Sequence, residues 1–225
     1  MDWRLLRYEL GEGAEAFSTR RDSVLPYPVI TGHQVHGCRV AVVDRSDVTR
    51  EDLEGYDALV TNLRGHAIGV RTADCVPILL FDSGRGVVAA VHSGWKGTVQ
   101  RISQKTIFTM MDVYGCRSAD IRAAIGPCIG RESFQVGEEV VLMFKEQGFP
   151  LEGIWHFNDS TSDIPVESGH HIDLVGANRW LLEEAGVPSA SICSAGIDTY
   201  RDCDFFSARR DGTETGRTIS SIKLI

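Results

Sequence analysis

Cys75 and His92 are the residues of this sequence best placed to do chemistry together. Asp74 and Cys75 precede an apolar run, Val76–Phe81. His92, Trp95 and Lys96 follow a second run, Val87–Val91, and the turn Asp82-Ser83-Gly84-Arg85-Gly86 joins the two. Both runs have strand length, and in an antiparallel pair the start of one strand lies beside the end of the next. Cys75 and His92, 17 positions apart (92 − 75), are therefore predicted to be neighbours in space. A thiol beside an imidazole is either a nucleophile with its base or part of a metal site.

A third donor is His36, which follows His33 and Gln34 and lies between Gly32 and Gly37. Glycines at such positions allow a close backbone approach and an unusual turn. Two imidazoles and one thiolate suit zinc or copper, and three protein ligands leave the open position that a catalytic metal requires. In the competing chemistry Cys75 is a free nucleophile, His92 its base, and Asp74 or Asn62 orients the histidine. The two readings make opposite demands on Cys75, and spacing leaves both open.

Arg20, Arg71, Lys96, Arg209 and Arg210 lie in strand- or turn-like motifs beside Gly, Ser or Thr. Arg209-Arg210 stands out, with Phe205-Phe206 before it and Gly212 after it, because arginine forks suit phosphate or carboxylate. Cys128, in Gly-Pro-Cys-Ile-Gly, reads as a buried thiol. His66, His156, His170 and His171 read as structural or surface residues.

The elements that must position these groups follow from the pattern. With 225 residues, 43% hydrophobic and 24% charged, the chain is expected to form one soluble domain over residues 1–225. A net charge of −8 argues against general nucleic-acid binding. The charged N-terminus and the absence of an apolar run near ~20 residues point to a cytoplasmic protein without membrane contact. The six cysteines form no CxxC pair and are expected to be free thiols.

Strands are predicted in residues 1–20, at 29–31, 38–43, 57–62 and 66–71, and then in the central hairpin, with a short helix possible at 47–55. The period then changes. Val99, Ile102, Thr106, Met110 and Val113 mark one face of a helix over 98–114 that ends at Gly115. A strand at 120–125, a helix over 137–147 with Val140, Val141 and Phe144 inward, and a surface loop over 151–169 follow. A helix opening at 171–174 with Asp173 as N-cap, and strands at 189–194 and 217–224, complete the chain. This order is α+β or layered α/β, without a GxGxxG or a P-loop.

Together the motifs Gln34-Val35-His36-Gly37, Asp57-Ala58-Leu59-Val60-Thr61, Thr72-Ala73-Asp74-Cys75-Val76-Pro77, Val91-His92-Ser93-Gly94-Trp95-Lys96-Gly97-Thr98, Ile125-Gly126-Pro127-Cys128-Ile129, Ile172-Asp173-Leu174 and Phe206-Ser207-Ala208-Arg209-Arg210 resemble the YfiH-type polyphenol oxidase, or laccase-domain, family. The resemblance runs from about Phe17 to the C-terminus. It implies an α+β fold, a four-layer α-β-β-α sandwich with mixed sheets of the cysteine-hydrolase-like type. It also implies metal ligands at His36, Cys75 and His92, with zinc expected and copper the alternative.

The implied activities are phosphorolysis of adenosine, inosine, guanosine or S-methyl-5′-thioadenosine, and adenosine deamination. The partners would then be a purine nucleoside and phosphate, in a monomer or homodimer. Asp74 would serve proton transfer or orient a ligand, and Arg20, Gln34, Asn62, Lys96 and Arg209 would bind substrate. Family members are also described as copper-dependent phenol oxidases and as peptidoglycan editing factors. One departure stands out: the Gly- and Asp-rich segment that usually follows Phe-Ser-Thr-Arg is shortened here, since Pro26 comes soon after Arg20.

Overall fold

The hairpin that carries Cys75 and His92 is the centre of the fold. Its strands are β7 (Val76–Asp82) and β8 (Val87–Ser93), and every residue of both is buried. Strands apolar at nearly every position need cover on both faces. One face, with Val76, Ile78, Leu80, Val87, Ala89 and Val91, belongs to a core shared with helices. The other, with Leu79, Phe81, Val88 and Ala90, packs into a second core against another sheet.

Residues 4–159 and 168–225 are described in this computed structural model. In chain order the remaining elements are β1 (Leu5–Tyr8), β2 (Ala14–Thr19), β3 (Val29–Thr31), β4 (Val40–Val42), β5 (Ala58–Thr61) and β6 (Ala67–Thr72) before the hairpin. After it come α1 (Trp95–Val99), α2 (Ile102–Tyr114), β9 (Ile121–Ile125), β10 (Gln135–Val136), α3 (Glu138–Glu146), α4 (Leu151–Ile154), β11 (Trp155–Asn158), β12 (Gly169–Ile172), α5 (Leu174–Glu184), β13 (Ile192–Ser194), α6 (Ala208–Asp211) and β14 (Thr218–Leu224).

A six-stranded mixed sheet runs β13-β9-β7-β8-β5-β4, a five-stranded one runs β1-β2-β14-β6-β3, and β10-β12-β11 form a small third sheet. The fold is α+β with several mixed sheets. Ile102, Ile107 and Met110 of α2, Phe144 of α3 and Leu181 of α5 fill the helix-side core. Ala16, Ile68, Val70 and Ile222 of the five-stranded sheet fill the other. On the outer face of the five-stranded sheet, coil supplies contacts: the Tyr27 ring lies edge-on to Phe17, with the Lys223 ammonium 3.7 Å from its centroid. Among the described residues no helix is long and apolar enough to cross a membrane.

Several local expectations change. The helix at 98–114 is two helices, broken at Arg101, whose φ is 63°. Arg101 reaches across the break to Gln104, Glu184 and the Gln147 carbonyl, and its guanidinium lies over Trp180. Tertiary contacts thus hold a backbone shape that helix periodicity does not reveal. Val113 is 53% exposed, so the inward stripe ends at Met110. Residues 47–55 form turns instead of a helix, because the Asp52 carboxylate accepts from both the backbone N–H and the hydroxyl of Thr49. The loop at 151–169 contains α4, β11 and the start of β12, while residues 160–167 of it lie outside the described residues. The N-cap at Asp173 is as expected, its carboxylate accepting from Gly176 N at 2.8 Å.

Candidate metal centre

The register of the hairpin explains why its ends meet. Pro77 pairs with His92 and Val76 with Ser93, so Cys75, just before β7, lies beside the C-terminal end of β8. Gly94 follows at once, and a Cβ there would lie 2.9 Å from the Cys75 sulfur and 3.2 Å from His36. Only glycine lets the chain leave β8 this close to both side chains.

His36 comes from the loop between β3 and β4 and sits in the left-handed region at φ 60°. Its ring packs edge-on to that of His92, with centroids 4.9 Å apart. One donor atom each from His36, Cys75 and His92 lies within 4.8 Å of the others. Among the described residues this is the one group of three or more His, Cys, Asp or Glu with such convergence.

Asp57 organises the trio from behind, and its carboxylate is fully buried. One oxygen accepts from His92 Nδ1 at 2.7 Å and from the His36 backbone N–H at 2.9 Å; the other accepts from the N–H groups of Gly37 at 2.9 Å and Val35 at 3.2 Å. With Nδ1 engaged, Nε2 of His92 is the nitrogen that faces Cys75. The same carboxylate shapes the turn that presents His36. This is the carboxylate–imidazole pairing that fixes metal-ligating histidines.

The charges agree with that geometry. Burial alone would raise the Cys75 thiol, but the facing His92 and His36 imidazoles outweigh it and bring it down to about 6. Burial alone would lower His92, whereas the Cys75 thiolate and Asp57 raise it to about 9. By contrast Cys128 is buried and held well above the ordinary thiol range, as an inert cysteine should be. All six cysteines are free. Two imidazoles and a low-pKa thiolate with one carboxylate behind them fit a zinc or copper ion.

The trio opens into a cleft of about 590 Å³. Of the other residues singled out in the sequence, Gln34 lines it, but its amide is spent on a two-way clamp with the Arg71 backbone, both bonds 2.8 Å. Asp74 adjoins Cys75 at φ 88°, and its carboxylate accepts from Thr199 Oγ1 and from Arg209 N, both at 2.7 Å. It ties α6 to the centre, and the carboxylate on His92 is Asp57 instead. Arg209 turns its guanidinium to the Gln135 carbonyl and the Phe134 ring. Arg210 donates to the carbonyls of Thr199, Tyr200, Asp202 and Phe205 and so organises its own loop, leaving no fork for an anion.

Three candidates are not among the residues that line this cleft. Asn62 follows β5, which runs antiparallel to β8 with Thr61 opposite Val88, so it is the start of β5, at Asp57, that reaches His92. Arg20 pairs with Asp204 at 2.8 Å in a separate small recess. Lys96 is exposed, over the Trp95 ring.

Asp57 was visible as the acidic residue heading a strand-length apolar run. Its role needed the β5–β8 pairing, which residue types alone do not give. Arg50 and Arg217, also in the cleft, carried no local signal.

The comparisons with known proteins agree with this architecture. A family model described as "Multi-copper polyphenol oxidoreductase laccase" matches residues 15–225. The chain is 45% identical over 201 residues to adenosine deaminase RL5 from an unknown prokaryotic organism, covering 86% of this chain and 74% of that protein. It is 37% identical over 227 residues to a purine nucleoside phosphorylase of Bacteroides thetaiotaomicron, covering 94% and 82%. Among solved structures, YlmD from Geobacillus stearothermophilus superposes with a TM-score of 0.82 at 26% identity, over 100% of this chain and 97% of that one. With residues 15–225 of its 225 matched by the family model, the chain belongs to the multi-copper polyphenol oxidoreductase laccase family.

Proposed function

We propose that this protein is a zinc-dependent purine nucleoside enzyme that performs phosphorolysis and adenosine deamination. The observation that carries the reading is the convergence of His36, Cys75 and His92 at the floor of an open cleft. Its nucleoside specificity is supported by relatives named adenosine deaminase and purine nucleoside phosphorylase. His36, Cys75 and His92 would hold the zinc, which when bound supplies Lewis acidity at the cleft floor. Asp57 keeps the Nδ1 proton of His92 in place and raises the basicity of the opposite nitrogen. Asp74 positions α6 at the cleft edge through Arg209 N. The four-electron reduction of dioxygen by a multicopper oxidase needs several copper sites. The described residues converge at one, which favours the nucleoside reading over phenol oxidation.

The test is metal analysis of protein purified without chelator, alongside assays for ribose 1-phosphate from inosine with phosphate and for inosine from adenosine. About one zinc per chain and both products are expected. Metal-free protein with neither product would remove the proposal.

Asp57, His92 and Cys75 also form a carboxylate–imidazole–thiol series, which favours a cysteine hydrolase as the second reading. Cys75 accessibility separates the two. In metal-free protein, alkylation of Cys75 by iodoacetamide should rise through pH 6 and level off near pH 7, since the thiolate is the reactive form. One equivalent of zinc should suppress it at least about tenfold. Alkylation unaffected by zinc, with an acyl-enzyme formed on Cys75, would favour the hydrolase.

A further inference from the structure

Arg50, Arg71 and Arg217 line the same cleft as Cys75 and His92, in a protein whose net charge is −8. They converge from distant parts of the chain: the turn region before β5, the end of β6, and the residue that precedes β14. Among the described residues none of the three makes an ion pair with a carboxylate, although Glu214 lines the cleft beside them.

Two of the three are held in place by the backbone. The Gln34 clamp fixes Arg71 at its root. Arg217 donates to the carbonyls of Thr213, Thr215 and Gly216 and so shapes the cleft wall. Burial, followed by the positive charges of Arg50 and Arg217, holds the Arg71 guanidinium below its ordinary pKa, so the three cations feel one another. Like charges gathered in a cleft without a carboxylate partner are relieved by a bound anion, and guanidinium forks match the oxygens of a phosphate.

We propose that Arg50, Arg71 and Arg217 form the binding site for the inorganic phosphate that attacks the nucleoside held at the metal centre. The assignment rests on the phosphorolytic reading above. In the step, a phosphate oxygen forms a bond to the ribose C1′ and the bond from C1′ to the purine nitrogen breaks. The bonding pair leaves with the purine, which takes up a proton. Neutralising the phosphate charge beside the cleft floor lets the nucleophile approach without displacing the nucleoside.

The test uses zinc-loaded wild-type protein, Arg71→Gln and Arg50→Gln, two side chains that make no hydrogen bond among the described residues. Inosine phosphorolysis is measured against phosphate concentration, and inorganic phosphate binding by calorimetry. The phosphate KM and Kd should rise about ten- to a hundredfold in Arg71→Gln, the range for losing a charge-assisted contact, with a much smaller change in the inosine KM. Unchanged phosphate KM and Kd in both variants would overturn the site.

If wild-type protein makes no ribose 1-phosphate, the binding measurement still decides. Weaker phosphate binding in Arg71→Gln would uphold the site and overturn only phosphorolysis, whereas equal binding would overturn the site. The alternative source of the same anion is the 5′-phosphate of a nucleotide. Deamination of AMP in preference to adenosine, with that preference lost in Arg71→Gln, would overturn the co-substrate assignment.

Discussion

Asp57→Ala should lose about 3–5 kcal/mol of unfolding free energy and weaken zinc binding about 10- to 100-fold. The carboxylate is fully buried and has four partners: His92 Nδ1 and the backbone N–H groups of Val35, His36 and Gly37. Removing it strands those donors and frees the His36 turn and the His92 ring at once. Asp57→Asn separates the two effects. It keeps the size and one acceptor oxygen, so the fold should suffer less than the metal affinity does. Denaturant unfolding and zinc titration on both variants read the two quantities.

The contribution of Asp57 also has a defined pH dependence. Burial alone would raise its carboxyl, but the bonds from His92, Gly37 and Val35 outweigh that and hold it below the usual carboxylate range. A group whose folded pKa is depressed stabilises above its unfolded value, about 4, and loses that contribution as the pH falls through the folded value. Wild-type stability should therefore drop on acidification below pH ~4 by more than that of Asp57→Asn.

Cys75→Ala is the second large effect. Without the thiolate, two imidazoles remain and the third donor is lost. Zinc content should fall from about one per chain to below about 0.1 per chain after dialysis against weak chelator. Nucleoside turnover should fall by about three orders of magnitude or more, beyond the loss of a single transition-state donor. Cys75 borders the cleft and lies outside the two hydrophobic cores, so the metal-free protein should still fold and lose only the attraction between the thiolate and His92. Retained metal with lost turnover would instead mark Cys75 as a nucleophile.

The hairpin was legible in the sequence because it rests on local signals: two apolar runs, a glycine turn, and reactive residues at matching ends. The register Pro77↔His92 then follows from the turn. Helix α3 and the Asp173 cap were legible for the same reason, since period and capping chemistry are local. What the sequence hid depends on pairing between distant segments. β5 and β6, joined by the short Leu63–Gly65 turn, enter different sheets, and this sends Asn62 away from the centre and brings Asp57 to it. β14, the last strand, inserts between β2 and β6 and carries Arg217 to the cleft. The α1–α2 break at Arg101 is likewise fixed by Glu184, Gln147 and Trp180, residues far along the chain.

The central claim, a catalytic metal held by His36, Cys75 and His92, is tested most directly by anomalous diffraction across the zinc edge on crystals grown without chelator. The expected result is one strong peak at about 2.0–2.1 Å from a nitrogen of each histidine and about 2.3 Å from the Cys75 sulfur. A crystal with full zinc occupancy elsewhere, or with a free Cys75 thiol and no peak between the three side chains, would contradict it.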